Sequence, residues 1–375
     1  MKANDKIRQT HAFLLLIALG LFLSGCGRLS VPPGASSAAK ISRISVFPGA
    51  EWEFVAEPET VGYSKEGLGS VREFLKTIPT TGLVVVVSGR VLMDYGETTE
   101  LSYLASVRKS VLAMIFGNYV ANGKVKLEKS LAELGITDHG GLTPKELEAT
   151  IADLLSARSG VYHPASNSGD NLANAPPRGS QKHGKYFLYS NWDFNTLGTI
   201  FEKETGRNIY DALETDLARP IKMQDFKRDA QKKTGDLTKS MHPAYHMWLS
   251  TRDMARLGYL MLREGNWAGI QVVPRDWVKK ITSPVTRVHQ MNPGWYRKGR
   301  LGYGFLWWVF DGPEAKGPFK GAYTGMGAGG QFITVLPKLD MIVAHKNNRE
   351  RSKKAVSGSQ FFQLLDKILA AQLKK

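Results

Sequence analysis

ASVRKSVLAMIFGNYVANGK, residues 105–124, is the stretch on which the reading of this chain turns. Ser106 and Lys109 stand three apart where a long apolar run begins. Residues at that spacing lie on one face of a helix, which puts a hydroxyl and an amine within hydrogen-bonding reach. Val107, Val111, Leu112, Met114, Ile115, Phe116, Tyr119 and Val120 cover most of the helix circumference, the mark of a helix enclosed on several sides. A lysine in that setting loses water, its ammonium form is disfavoured, and the free amine can take a proton from a weakly acidic serine hydroxyl. At the first turn the serine also sits near the positive end of the helix dipole, with its own N–H turned toward a ligand. Spacing alone does not carry this. Ser37 and Lys40 repeat it in a polar segment, and a serine that only caps a helix beside a solvated lysine has the same sequence signature.

Working outward, SKEGLGSVREFLKT (64–77) has helical spacing with Ser64 as its cap. GLVVVVSGRVLMDYG (82–96) gives two apolar runs about Ser88-Gly89, a β-hairpin. From about 124 to 290 the chain reads mostly as helices and long loops: TPKELEATIADLLSARSG, NWDFNTLGTIFEKETG and STRDMARLGYLMLREG, with Gly160, Gly206 and Gly265 as expected stops. YGFLWWVF (303–310), QFITVLP and MIVAHK read as three strands, and SGSQFFQLLDKILAAQLKK as a closing amphipathic helix with a basic end. A sheet whose strands come from both chain ends, with a helical region inserted between them, accounts for this order. Short turns between strands imply antiparallel pairing. The expected fold class is α/β, an antiparallel sheet flanked by helices, with 51–104 and 291–375 forming that part and 105–290 a mostly helical domain.

The 375 residues suffice for one large or two medium domains, and their apolar and charged fractions are those of a globular protein. Lys2, Lys6 and Arg8 precede the apolar segment AFLLLIALGLFL, so residues 1–25 read as a signal peptide. The segment ends in Leu23-Ser24-Gly25-Cys26, which resembles the lipobox of bacterial lipoproteins, where the cysteine is lipidated. Cys26 is the single cysteine, which excludes a disulfide framework and a thiolate metal site. Residues 26–50 begin with a Ser-, Ala-, Gly- and Pro-rich run suited to a tether. The expected location is the bacterial periplasm, with the membrane as a partner through the lipid anchor. A formal charge of +16 favours contact with anionic cell-wall or lipid surfaces; the basic residues are scattered and no nucleic-acid module is visible, so no nucleic-acid partner is expected.

Two further signals bear on chemistry. Tyr189-Ser190-Asn191 lies in KYFLYSNWDFNTLG, before a helix; a phenol among cations can be held partly as phenolate and relay a proton, while an amide can position Lys109 or a substrate carbonyl. As structure alone, the two are a core aromatic and a helix cap. GAYTGMGAGGQFITVLP, from Gly321, places glycines before a strand, where backbone can approach a ligand and an N–H can join that of Ser106 in an oxyanion hole. Other motifs fail on context. GSQKHGK (179–185) has Tyr186 where a phosphate-binding loop needs Ser or Thr, and His242 and His246 lack the spacing of a metal site. No GxSxG elbow occurs.

Together these motifs resemble the serine β-lactamase and penicillin-binding-protein superfamily, nearest its class C-like branch with DD-peptidases and family VIII esterases. The resemblance runs from about residue 60 to the C-terminus and includes IADLLSARSG, YSNWDFNTLGTIFEKETG and STRDMARLGYLMLREG. It implies a β-lactamase/transpeptidase-like fold with the site between an α/β and a helical region. It makes Ser106 the acylated nucleophile, Lys109 its base partner, Tyr189 the proton relay and Asn191 an orienting amide. Substrate contacts are expected from Asn191, Tyr323, Thr324, Gly325 and Met326, with no cofactor and no metal. The family's third motif is often Lys-Thr-Gly or His-x-Gly; here Tyr323-Thr324-Gly325 takes the position, or the match gaps to Met326-Gly327, and Lys233-Thr234-Gly235 falls too early in the order. Without a cation at 323 the expected substrate, small molecule or peptide, is an ester or amide of low negative charge, unless Arg297, Lys298, Arg300 or Lys320 supplies the charge. A DD-carboxypeptidase or β-lactamase, and a catalytically silent lipoprotein that binds peptidoglycan or protein, are the alternatives.

Overall fold

The computed structural model describes residues 45–373; the leader and Cys26 lie outside them. Ser64 accepts from the Gly67 N–H and starts α1 (Lys65–Leu75), whose buried stripe is Leu68, Val71 and Leu75. β1 (Gly82–Val87) and β2 (Arg90–Gly96) form the expected hairpin. Ser88 and Gly89 both take positive φ, 51° and 84°, the turn geometry that follows the right-handed twist of paired strands. β3 (Ser102–Tyr103) leads into α2 (Val107–Ala121), in which twelve of fifteen residues are buried, as its apolar circumference requires.

The stretch 143–160 is not one helix. Thr143 with Glu146 and Thr150 with Asp153 each close a capping box, giving α3 (Pro144–Leu147) and α4 (Ile151–Leu155); a second cap inside the apolar pattern starts a new helix instead of prolonging the first. The turn after α4 is made by Ala157 at φ 56°, ahead of Gly160. α5 (Asn191–Thr205) stops at Gly206 in the left-handed conformation, as expected. α6 (Ile209–Ala212), β4 (Lys232–Thr234), β5 (Ala244–His246) and β6 (Trp248–Leu249) follow; β4 pairs with β5 and β6 with β3, away from the main sheet. α7 (Thr251–Leu262), the small ribbon β7 (Asn266–Trp267) and β8 (Ile270–Gln271), and α8 (Arg275–Ile281) complete the middle of the chain.

YGFLWWVF divides into two strands, β9 (Leu301–Tyr303) and β10 (Trp308–Phe310), around a turn in which Leu306 takes φ 61°. The glycine-rich segment also pairs, as β11 (Tyr323–Gly327), beside β12 (Gln331–Leu336) and β13 (Met341–Lys346); α9 (Gly358–Ala370) closes the chain. The seven-stranded antiparallel sheet runs β2-β1-β13-β12-β11-β10-β9, so strands from both chain ends interleave. α2 and α7 pack on one face, where a methyl added to Gly258 would lie 2.7 Å from Ile342. α1 and α9 cover the other, with Phe361 stacked on Phe332 at 3.7 Å. This places the N-terminus of α2 against the open end of β11.

Candidate active site

Ala105 turns the chain at φ 48° and Ser106 opens α2 without spending its hydroxyl on the cap. One turn on, Lys109 is buried, and its Nζ lies 3.0 Å from Ser106 Oγ, 2.7 Å from Tyr189 Oη and 2.7 Å from Asn191 Oδ1. Tyr189 precedes α5 and Asn191 is its first residue, so the start of one helix supplies the serine and lysine and the start of another the phenol and amide. Asn191 is fixed from behind: its Nδ2 donates to Ser168 O at 2.9 Å and its backbone N–H to Asp170 Oδ2 at 3.0 Å. The Lys109 ammonium position also faces the rings of Tyr189 and Phe194, 4.2 and 4.4 Å from their centroids.

Burial, then the charge of Arg108, hold Lys109 well below the usual lysine range, with Asp170 acting in the opposite sense. Tyr189 behaves differently from the expected partial phenolate. Burial among Phe194, Tyr303 and Trp308 pushes its phenol up, and the Ser106 hydroxyl and Arg108 offset this only in part. Burial thus works against the charged form of both groups, the ammonium of Lys109 and the phenolate of Tyr189.

The four residues of β11 expected at the substrate separate. Tyr323 is buried with its ring edge-on to Trp307, and Thr324 hydrogen-bonds Thr334 across the sheet at 2.9 Å, so both belong to the core. Gly325 packs against Ser110 of α2. Met326 lines the cleft. Gly327, the glycine of the gapped alignment, lies against the serine: an added methyl would stand 3.1 Å from Ser106 N and 2.5 Å from Leu104 O. β10 pairs only with Tyr323 and Thr324, leaving the last part of the β11 edge facing Ser106. Behind it the loop 328–330 is held by Asn347 Nδ2 on Gly329 O (2.9 Å) and by His345 Nδ1, 2.7 Å from Gly330 O.

The cleft has a volume of about 380 Å³ and runs from Ser106 past Tyr189, Trp308, Met326 and Phe332 to Val356; no lining side chain among the described residues is charged. Trp308 stacks on Tyr189, and Tyr296 packs on Trp308 while its hydroxyl accepts from Asn171 Nδ2 at 3.0 Å. Of the basic residues considered for the rim, Arg297 is spent on Met291 O and Asn292, and Arg300 pairs with Asp366. Lys233 ion-pairs with Glu202 in the β4–β5 ribbon. His242 and His246 have partners in Thr199, Thr137 O and Tyr103, and no cluster of three potential metal ligands occurs among the described residues. Sequence reasoning passed over Arg108, although an arginine on an apolar helix stood inside the opening stretch. It also missed Trp308, whose role depends on the turn at Leu306, and Asp170, which no motif marks.

The family model described as beta-lactamase matches residues 70–360. The chain is 28% identical over 158 residues to a 6-aminohexanoate-dimer hydrolase of Paenarthrobacter ureafaciens, covering 42% of this chain and 38% of that one. A structure from Bacillus anthracis, provisionally named a 6-aminohexanoate-dimer hydrolase, superposes with a TM-score of 0.63 at 20% identity over 88% of each chain. A mutant class C β-lactamase gives 0.59 at 16% identity over 82% of this chain and 97% of that one. A family match of that extent, on a sheet shared with penicillin-binding proteins and hydrolases, makes this chain a member of the β-lactamase family and a serine hydrolase.

Proposed function

We propose that the cleft hydrolyses an uncharged carboxylic ester or amide through an acyl-enzyme on Ser106. The observation that carries this is the buried Lys109 amine within hydrogen-bond distance of the Ser106 hydroxyl, the Tyr189 phenol and the Asn191 amide at once. Ser106 Oγ attacks the carbonyl carbon as its proton passes to Lys109 Nζ. The oxyanion forms against the Ser106 N–H and the backbone edge at Gly327. Collapse expels the alcohol or amine, protonated by Tyr189, which Lys109 recharges. Water then attacks the acyl ester, its proton follows the same path in reverse, and the acid leaves. A buried aromatic wall with no ionic side chain favours apolar, uncharged groups around the scissile bond.

We further infer, from the leader and Cys26, that the chain is exported and held to a bacterial membrane by lipid. Palmitate labelling that disappears in Cys26→Ser supports this, and export without label overturns it. For the reaction, mass spectrometry after an uncharged fluorophosphonate or a penicillin reads the adduct. Fluorophosphonate labelling at Ser106 alone is the expected result. Penicillin labelling moves the reading to cell-wall substrates, and no adduct above Ser106→Ala overturns the acyl-enzyme.

A further inference from the structure

Arg108 is 2% exposed, yet no carboxylate among the described residues forms an ion pair with it. Its guanidinium lies 4.3 Å from the centroid of the Tyr245 ring, one Nη donates to Asn195 Oδ1 at 2.9 Å, and the other is buried without a partner. An arginine stays charged even when buried, and taking a charge out of water is costly unless a partner compensates it. This one is left unpaired directly before the lysine that meets the serine. It does not line the cleft, so it is not placed to bind substrate.

We propose that Arg108 is a positioning residue for proton transfer, a fixed buried cation whose field assists Lys109 in taking the proton of Ser106. The inference rests on Lys109 acting as the base in the reaction above. The groups facing the lysine are few. Ser106 and Arg108 come from its own helix, Tyr189, Asn191 and the opposing charge Asp170 from the start of α5 and the loop before it, and His246 from β5. Asn191, which accepts from Lys109 Nζ, and Asn195, which accepts from Arg108, stand one turn apart on α5, so the two cations lie side by side against that helix, and the ring under the Arg108 guanidinium is the buried, neutral Tyr245. Arg108 thus has no ion-pair partner of its own and is opposed at the lysine by Asp170, and like charge beside an amine disfavours its ammonium form. Asn195 completes the device by holding the guanidinium with a neutral acceptor. Its own Nδ2 donates to Asn167 Oδ1 at 2.9 Å, which fixes the amide the right way round.

The test is the pH dependence of Ser106 labelling by an uncharged fluorophosphonate, with circular dichroism confirming each fold. Asn195→Asp is close in shape and keeps the arginine but sets a carboxylate against it, giving up the Nδ2 hydrogen bond to Asn167 Oδ1. We expect its acid limb to move up by about half a pH unit or more, a loss of about threefold at a pH on the limb, with the alkaline plateau retained. Arg108→Met shifts the limb the same way, and Arg108→Lys restores it. A limb that stays in place in folded Asn195→Asp, whatever happens to the plateau, overturns the proposal and shows Arg108 to be structural. Failure of wild type to label at any pH instead overturns the acyl-enzyme reading.

Discussion

Among the described residues two lysines are buried at 1% exposure, Lys109 at the start of α2 and Lys346 at the end of β13, and they do different work. Lys109 meets a hydroxyl and a phenol, groups that can give up or take a proton, beside a cleft. Lys346 meets two backbone carbonyls, Ser102 O at 2.6 Å and Leu249 O, and so ties the main sheet to the β3–β6 ribbon just ahead of the nucleophile. Both lose water and both have lowered pKa values, Lys346 to about 7 through burial with Glu100 acting against it. Burial alone therefore does not make a lysine a base. The partners decide: carbonyls can only accept, so Lys346 is fixed as a donor, whereas Lys109 sits among groups that exchange protons.

The contrast is broken most sharply at Lys109. Lys109→Met should reduce Ser106 acylation by about a thousandfold or more while the melting temperature changes little, whereas Lys346→Met should leave the acid limb of labelling in place. Gly327→Ala comes next. Its methyl meets Leu104 O and Ser106 N, and a displacement of that size costs about 10- to 100-fold in acylation. Lys346→Met should instead lower stability by about 2–4 kcal/mol in denaturant titrations, because two carbonyls lose their donor. That loss carries a pH signature. Since the folded-state pKa is depressed, the penalty for burying the charge is full below about pH 7 and is relieved as pH rises toward the unfolded lysine value. The stability advantage of wild type over Lys346→Met should accordingly grow with pH above 7, by at most about 1.4 kcal/mol per unit. The smallest effect is expected at Tyr323→Phe, less than about twofold in acylation rate, because that ring faces Trp307 and not the cleft.

What the sequence makes legible here is what is local. The Ser106–Lys109 pairing follows from helix spacing, the hairpin from Ser88-Gly89, and the interleaved antiparallel sheet from apolar runs at both chain ends. The division of 143–160 was missed because Thr150 looks like one polar residue in an apolar pattern until it caps a second helix. The third motif stays open in the sequence between Tyr323-Thr324-Gly325 and Met326-Gly327, since only packing distinguishes Gly327, pressed against Ser106, from Gly325, pressed against Ser110. The neutral phenol at Tyr189 and the unpaired guanidinium at Arg108 are properties of surroundings drawn from four or five distant segments, and no single stretch of sequence records them.

The strand order has a consequence for synthesis. β13 lies between β1 and β12, and its six residues pair with β1 from Gly82↔Lys346 to Val87↔Met341. A growing chain thus carries GLVVVV with one side unmatched until Met341–Lys346 has been made, about 250 residues later, and such a bare hydrophobic rim invites pairing with other chains. Translation stopped before Met341 would leave the edge of β1 bare in a fragment that already carries Ser106, Lys109 and Tyr189, so solubility and the site part company at the thirteenth strand.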